Sequence, residues 1–167
     1  MLIIYDFISY TDVFTYNITT LESLLIYAMK TITYQSDYLG NGFEFATINQ
    51  PDDYEGKVVA TVIRKQCSMP SNKAVLYVHG FNDYFFQSDM AHRFNEKEYH
   101  FYAIDLRKYG RSTLPHQKSN NMRSLTEYFA DLDEALDIVR QEGNEQVLLS
   151  GHSTGGLLVT LYASERV

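Results

Sequence analysis

Val147-Leu148-Leu149-Ser150-Gly151-His152-Ser153-Thr154-Gly155-Gly156 is the most informative stretch of this 167-residue chain. Its first three residues form a short apolar run, the signature of a strand buried on both faces. The pattern Gly-x-Ser-x-Gly follows at once, and an apolar segment suited to a helix comes after it. A serine at a sharp strand-to-helix turn needs strained backbone angles and very close neighbours. Gly151 and Gly155, two residues to either side of Ser153, leave room for such a turn. The serine oxygen then stands clear of the sheet at a helix N-terminus, where the helix dipole favours developing negative charge. The N–H of Thr154 points toward the same space. A phosphate-binding loop would carry Gly-x-Gly-x-x-Gly or a Lys-Ser/Thr pair, and this stretch has neither. Ser153 therefore reads as a nucleophile.

Upstream, short apolar runs alternate with helical patterns. Phe43–Ile48 alternates loosely and ends in a turn cluster, Asn49-Gln50-Pro51-Asp52-Asp53. Lys57–Arg64 is β-branched and apolar, a second strand. Ala74–Val78 and Phe101–Ile104 read as buried strands, and residues from about Gln87 to Glu98 as a helix. Ser124-Leu125-Thr126-Glu127 is a capping box. It opens a helix whose Leu125, Tyr128, Phe129, Leu132, Leu136 and Val139 make one apolar face. Asp131, Asp133, Glu134 and Asp137 fall mainly opposite and read as a solvated face. Gly143-Asn144 ends that helix with a left-handed cap. Strands alternating with helices predict an α/β fold with a mainly parallel sheet and flanking helices.

Two further motifs follow buried strands. In His79-Gly80-Phe81 a turn can present the Phe81 N–H above the serine, and with Thr154 it makes a two-donor oxyanion hole. His79 itself reads as orienting that loop and not as the base. Asp105-Leu106-Arg107-Lys108-Tyr109-Gly110-Arg111-Ser112 is a polar turn fixed by carboxylate–guanidinium pairing. Together the three motifs resemble an α/β-hydrolase of the lysophospholipase, monoacylglycerol lipase and serine aminopeptidase-like group. That group pairs a His-Gly loop with an Asp-x-Arg-Gly-x-Gly-x-Ser turn and a Gly-His-Ser-x-Gly-Gly elbow, in this order. Lys108 stands where the pattern has glycine, which predicts a different backbone in that turn. The resemblance runs from about Gly42 onward. It implies Ser153 as nucleophile, Phe81 and Thr154 as oxyanion donors, and an acyl-enzyme route on a small-molecule ester, with a lipid among the candidates. Phe81, Tyr84, Phe85 and Phe86 suit an apolar acyl site, with core packing expected for at least two of them.

In this fold the triad order is serine, then acid, then histidine. Only 14 residues follow Ser153; they hold one acid, Glu165, and no histidine. His79, His92, His100, His116 and His152 all precede the serine, and His116 is the least unfavourable substitute. The expectation is an incomplete α/β-hydrolase fold, the N-terminal part of a hydrolase, inactive alone. The competing expectation is a non-catalytic half-domain that serves as a binding or assembly module.

Composition sets the outer limits. With 14 Lys+Arg against 21 Asp+Glu the net charge is −7, which argues against a nucleic-acid partner. The single cysteine, Cys67, excludes an internal disulfide and a thiolate zinc cluster, and a reducing compartment is the easier fit. No apolar run approaches about 18 residues, so no membrane span is expected. Acidic residues precede the first basic one, Lys30, which is unlike a secretory leader. A cytoplasmic protein without metal or cofactor is expected. Residues 1–34 read as an N-terminal extension of uncertain structure, with a weak helix over Leu21–Met29 and a second potential start at Met29; residues 35–167 read as the hydrolase portion.

Overall fold

A computed structural model describes the backbone of residues 2–6 and all of residues 32–166. The helix expected over Leu21–Met29 lies outside them. The chain runs β1 (Leu2–Asp6), β2 (Gln35–Ser36), β3 (Glu44–Asp53), β4 (Gly56–Lys65), β5 (Lys73–Val78), α1 (Ser88–Asn95), β6 (His100–Asp105), α2 (Phe129–Gln141), β7 (Gln146–Gly151) and α3 (Thr154–Arg166). Short 3₁₀ turns occupy Gly110–Ser112 and Leu125–Tyr128.

The seven strands form one sheet in the order β1-β7-β5-β6-β4-β3-β2. Alternation along β5 explains why both of its faces are covered. Ala74, Leu76 and Val78 pack with Leu132, Leu136, Val139, Leu158 and Tyr162 of α2 and α3. Val75 and Tyr77 point to the other face, with Phe43, Phe85 and Ala91. A period of two sends successive side chains to opposite sides, so a strand between two helical layers must be apolar throughout.

The α/β architecture with flanking helices is as expected, but the sheet is mixed. Among the described strands only β5–β6 and β5–β7 are parallel. The β-branched Lys57–Arg64 run is antiparallel β4, paired with β3 on one side and β6 on the other. Apolar composition marks a buried strand and carries no sign of its direction. The turn expected at Asn49–Asp53 is instead the end of β3, with a register shift between Gln50 and Asp53. Pro51 has no N–H to give a ladder. It is tolerated because, among the described residues, β2 pairs only with Phe45 and Glu44, leaving the far half of β3 an edge.

Residues 2–6 lie within the stretch read as an extension of uncertain structure. They form β1, antiparallel to β7, with Leu2 opposite Ser150 and Tyr5 opposite Val147. An apolar run without helical period found its partner in the strand that carries the elbow. Asp131 is a second correction. It is fully buried, not solvated, and accepts from the Arg107 N–H at 3.0 Å and from Arg107 Nη2 at 2.7 Å. Side-chain spacing put Asp131 on the polar side of α2; the 105–112 turn then folded over it. The capping box is present, with Glu127 accepting from the Ser124 N–H at 3.1 Å. The turn it opens is 3₁₀, and α2 proper starts at Phe129.

Candidate active site

The site lies at the C-terminal edge of the parallel strands, where β5, β6 and β7 end. Ser153 sits between β7 and α3 with φ 54°, in the left-handed region. For a residue with a Cβ this conformation costs about 1–2 kcal/mol, and such strain concentrates at functional positions. The turn is locked by three bonds. The His152 N–H donates to the Val78 carbonyl at 3.1 Å, the Gly155 N–H to the His152 carbonyl at 2.8 Å, and the Leu157 N–H to the Ser153 carbonyl at 3.1 Å. A Cβ on Gly151 would lie 2.6 Å from the Gly156 nitrogen, and one on Gly155 would lie 2.9 Å from the Val78 carbonyl carbon. Both obstacles are backbone, so any larger residue would force the elbow open. Ser153 itself is exposed.

The loop after β5 closes over the elbow. Ser153 Cβ lies 3.3 Å from where a Cβ on Gly80 would stand, as does His152 Nδ1. The two motifs separated by more than seventy residues thus meet. The third motif supports them from behind. Asp105 is fully buried and accepts from the Phe85 N–H at 2.8 Å and from Arg111 Nη1 at 2.8 Å. Arg111 also holds Asp37, with Nε to Oδ2 at 2.7 Å. Asp105 is therefore a structural carboxylate, fastening the Phe81–Phe86 loop to the 105–112 turn.

Lys108 stands in the turn after β6. It takes φ 65°, the left-handed conformation that glycine adopts without penalty. Its ammonium is buried between Asp53 Oδ2 at 2.5 Å and Glu55 Oε2 at 2.6 Å, over the Tyr54 ring. Burial pulls the Lys108 pKa down, but its bonds to the two carboxylates carry it above its ordinary value. No motif flags this tie, because the hairpin and the turn that meet there are distant in sequence.

Among the four loop aromatics only Phe85 enters the core. Phe81, Tyr84 and Phe86 are exposed, at 59%, 41% and 51%. Packing was expected for at least two of the four; the Phe85 backbone tie to Asp105 turns its neighbours outward.

The ring nitrogens of His79, His100 and His116 are engaged away from the serine hydroxyl. His79 is buried, with Nδ1 on the Gly80 carbonyl and Nε2 accepting from the Leu106 N–H. His92 stacks near Phe43 on α1, and His100 binds the Cys67 N–H and the Ser71 carbonyl. His116 lies on the Lys57 carbonyl of β4. Three strand spacings, roughly 14 Å, separate β4 from β7, which removes His116 as a substitute base. Glu165, on the last turn of α3, is roughly 17 Å along the helix from its start.

The description serine aminopeptidase, S33, belongs to a family whose model matches residues 69–167.
The chain belongs to this family.
The match contains all three motifs and the whole elbow. Epoxide hydrolase 4 of Mus musculus is 34% identical over 90 residues, which are 53% of this chain and 23% of that protein. This chain thus spans about a quarter of that relative's length. Among solved structures, a carboxyl esterase from Bacillus coagulans superposes with TM-score 0.57 at 18% identity, over 73% of this chain and 40% of that one. The thioesterase domain of the curacin biosynthetic pathway superposes with TM-score 0.51 at 28% identity, over 72% of this chain and 42% of that one. An α/β hydrolase from Penicillium shares the fold with TM-score 0.53 at 19% identity, over 72% of this chain and 42% of that one. The fold is that of the α/β hydrolases. Among the described residues no helix is long and apolar enough to cross a membrane, and no cluster of metal-ligating side chains occurs.

Proposed function

We propose that this S33-family chain carries the nucleophile of a serine hydrolase acting on carboxylic esters with apolar acyl chains, of the lysophospholipid or monoacylglycerol type. The observation that carries the reading is Ser153, exposed and left-handed at the strand–helix elbow. Ser153 Oγ attacks the ester carbonyl, the alcohol leaves, and water releases the acyl-enzyme. The N–H groups of Phe81 and Thr154 receive the oxyanion; Thr154 opens α3, where first-turn N–H groups have no partner within the helix. Phe81, Tyr84 and Phe86 are exposed on the loop whose Gly80 faces Ser153, and they supply apolar surface for the acyl chain.

Epoxide opening is a poorer fit for a serine. An alkoxide that opened an epoxide would leave a serine ether, with no carbonyl for water to attack, and turnover would stop after one event. An ester leaves an acyl group that water removes. On this reading none of the five histidines serves as the general base, since His79, His100 and His116 are engaged elsewhere. The 167-residue chain by itself is accordingly expected to give no measurable turnover of p-nitrophenyl esters. A cytoplasmic location agrees with the single cysteine.

The test is fluorophosphonate labelling of the full-length gene product. Ser153→Ala should abolish labelling while leaving the circular dichroism spectrum unchanged. Labelling that survives the substitution would move the nucleophile elsewhere. A full-length product that never labels would support the non-catalytic module.

A further inference from the structure

The position of His79 behind the serine suggests more than a packing role. Its imidazole is 1% exposed and lies 4.7 Å from the Tyr109 ring, centroid to centroid. Nε2 is 3.2 Å from the Leu106 backbone nitrogen. A backbone N–H can only donate, so Nε2 must accept. In a neutral ring the proton then sits on Nδ1. Nδ1 is 2.8 Å from the Gly80 carbonyl oxygen, which can only accept. The two contacts fix one tautomer between them. Burial pushes the His79 pKa down, against the Gly80 hydrogen bond and the Asp105 and Asp83 carboxylates that would raise it, and the ring stays neutral.

Sheet order gives this bond a direction. β5 lies between β6 and β7. The ring reaches Leu106, the residue just past β6, so the Gly80 carbonyl is drawn to the β6 side. In a trans peptide the carbonyl of one residue and the N–H of the next point in opposite directions. The Phe81 N–H is then turned to the β7 side, where Ser153 stands within 3.3 Å of the Gly80 Cβ position. Glycine at 80 permits that approach, since any side chain would press on Ser153 and His152.

We propose that His79 is a positioning residue whose Nδ1–H holds the Gly80 carbonyl and thereby aims the Phe81 N–H at the oxyanion formed on Ser153. The inference rests on the nucleophile reading of Ser153. Its special consequence is that the Nδ1–H tautomer, and not the imidazole's bulk, is what the site requires. His79 takes no proton from the serine, because both of its nitrogens are engaged on the far side of β5.

Two measurements on the full-length gene product separate this proposal from the reading beneath it. Protein labelled with ¹⁵N-histidine should show His79 at pH 7.5 with Nδ1 protonated and Nε2 bare. An Nε2–H tautomer or a charged ring would overturn the proposal. In the second measurement the rate of fluorophosphonate labelling is compared in two variants. His79→Leu should slow labelling about 100-fold, the usual loss for one oxyanion donor. His79→Asn places a carboxamide N–H near the Nδ1 position and should stay within tenfold of wild type. Equal slowing in both variants would reduce His79 to packing. Wild-type protein that never labels overturns the Ser153 reading alone, and the tautomer measurement then decides whether His79 holds Gly80 as described. If His79→Leu fails to fold, the asparagine variant and the tautomer still decide the matter.

Discussion

At the scale of single residues, buried polar groups paired with one another support the loops around Ser153. Arg107 and Asp131 show what that arrangement demands. The guanidinium reaches both carboxylate oxygens through Nε at 3.1 Å and one through Nη2 at 2.7 Å, and Asp131 is fully buried. Such a pair adds little over an apolar substitute, but removing one member strands a charge in the core. Asp131→Asn keeps the shape and removes the charge. It should lower unfolding free energy by about 3 kcal/mol, read from urea denaturation. A loss under about 1 kcal/mol would mean that Arg107 finds solvent or another partner. Ser153 illustrates the opposite economy: its left-handed backbone is strained, and the glycines and turn bonds around it hold the strain in place.

At the scale of elements, the turns matter more than the strands they join. The hairpin between β3 and β4 carries Asp53 and Glu55, and the turn after β6 carries Lys108, so one ammonium joins two loops from different parts of the chain. Lys108→Gly would relieve the left-handed backbone but leave two carboxylates facing each other. Burial raises the Asp53 pKa, yet the Lys108 hydrogen bond brings it below its ordinary value; the same bond lowers Glu55. A depressed carboxylate pKa contributes stability that is present above the unfolded value, near 4, and is lost as pH falls through the folded value. The variant should therefore be less stable than wild type at pH 7. The gap should narrow as pH falls below about 4. Thermal unfolding followed across that range checks both; a gap independent of pH would show that the ion pair contributes nothing.

At the scale of the whole molecule, the order of strands places the elbow one strand from the sheet's end. β7 would be an apolar edge with free N–H and C=O groups if β1 did not cover it. Exposed apolar edges pair with other chains. Deleting residues 1–6 should therefore produce concentration-dependent oligomers by light scattering, while the 167-residue chain elutes as a smaller species under the same conditions. Unchanged behaviour after the deletion would show that β1 adds nothing to the edge.

Much of this arrangement was legible in residue order alone. Local chemistry fixes a capping box, a left-handed glycine after a helix, and a Gly-x-Ser-x-Gly elbow after an apolar strand, because the groups that satisfy one another are at most a few residues apart. Gly143 at φ 88° and Ser153 at φ 54° are consequences of that kind. Other features depend on which distant segments meet. The same apolar alternation suits a parallel or an antiparallel partner, so it could not give the direction of β4 or a place for β1. A carboxylate on the polar side of a helix looks solvated until another turn folds over it, as Arg107 does over Asp131. Ser153 was visible because its neighbours in sequence make the turn. The hold of His79 on Gly80 needed the tertiary structure, because the Leu106 N–H that fixes its proton arrives from the next strand.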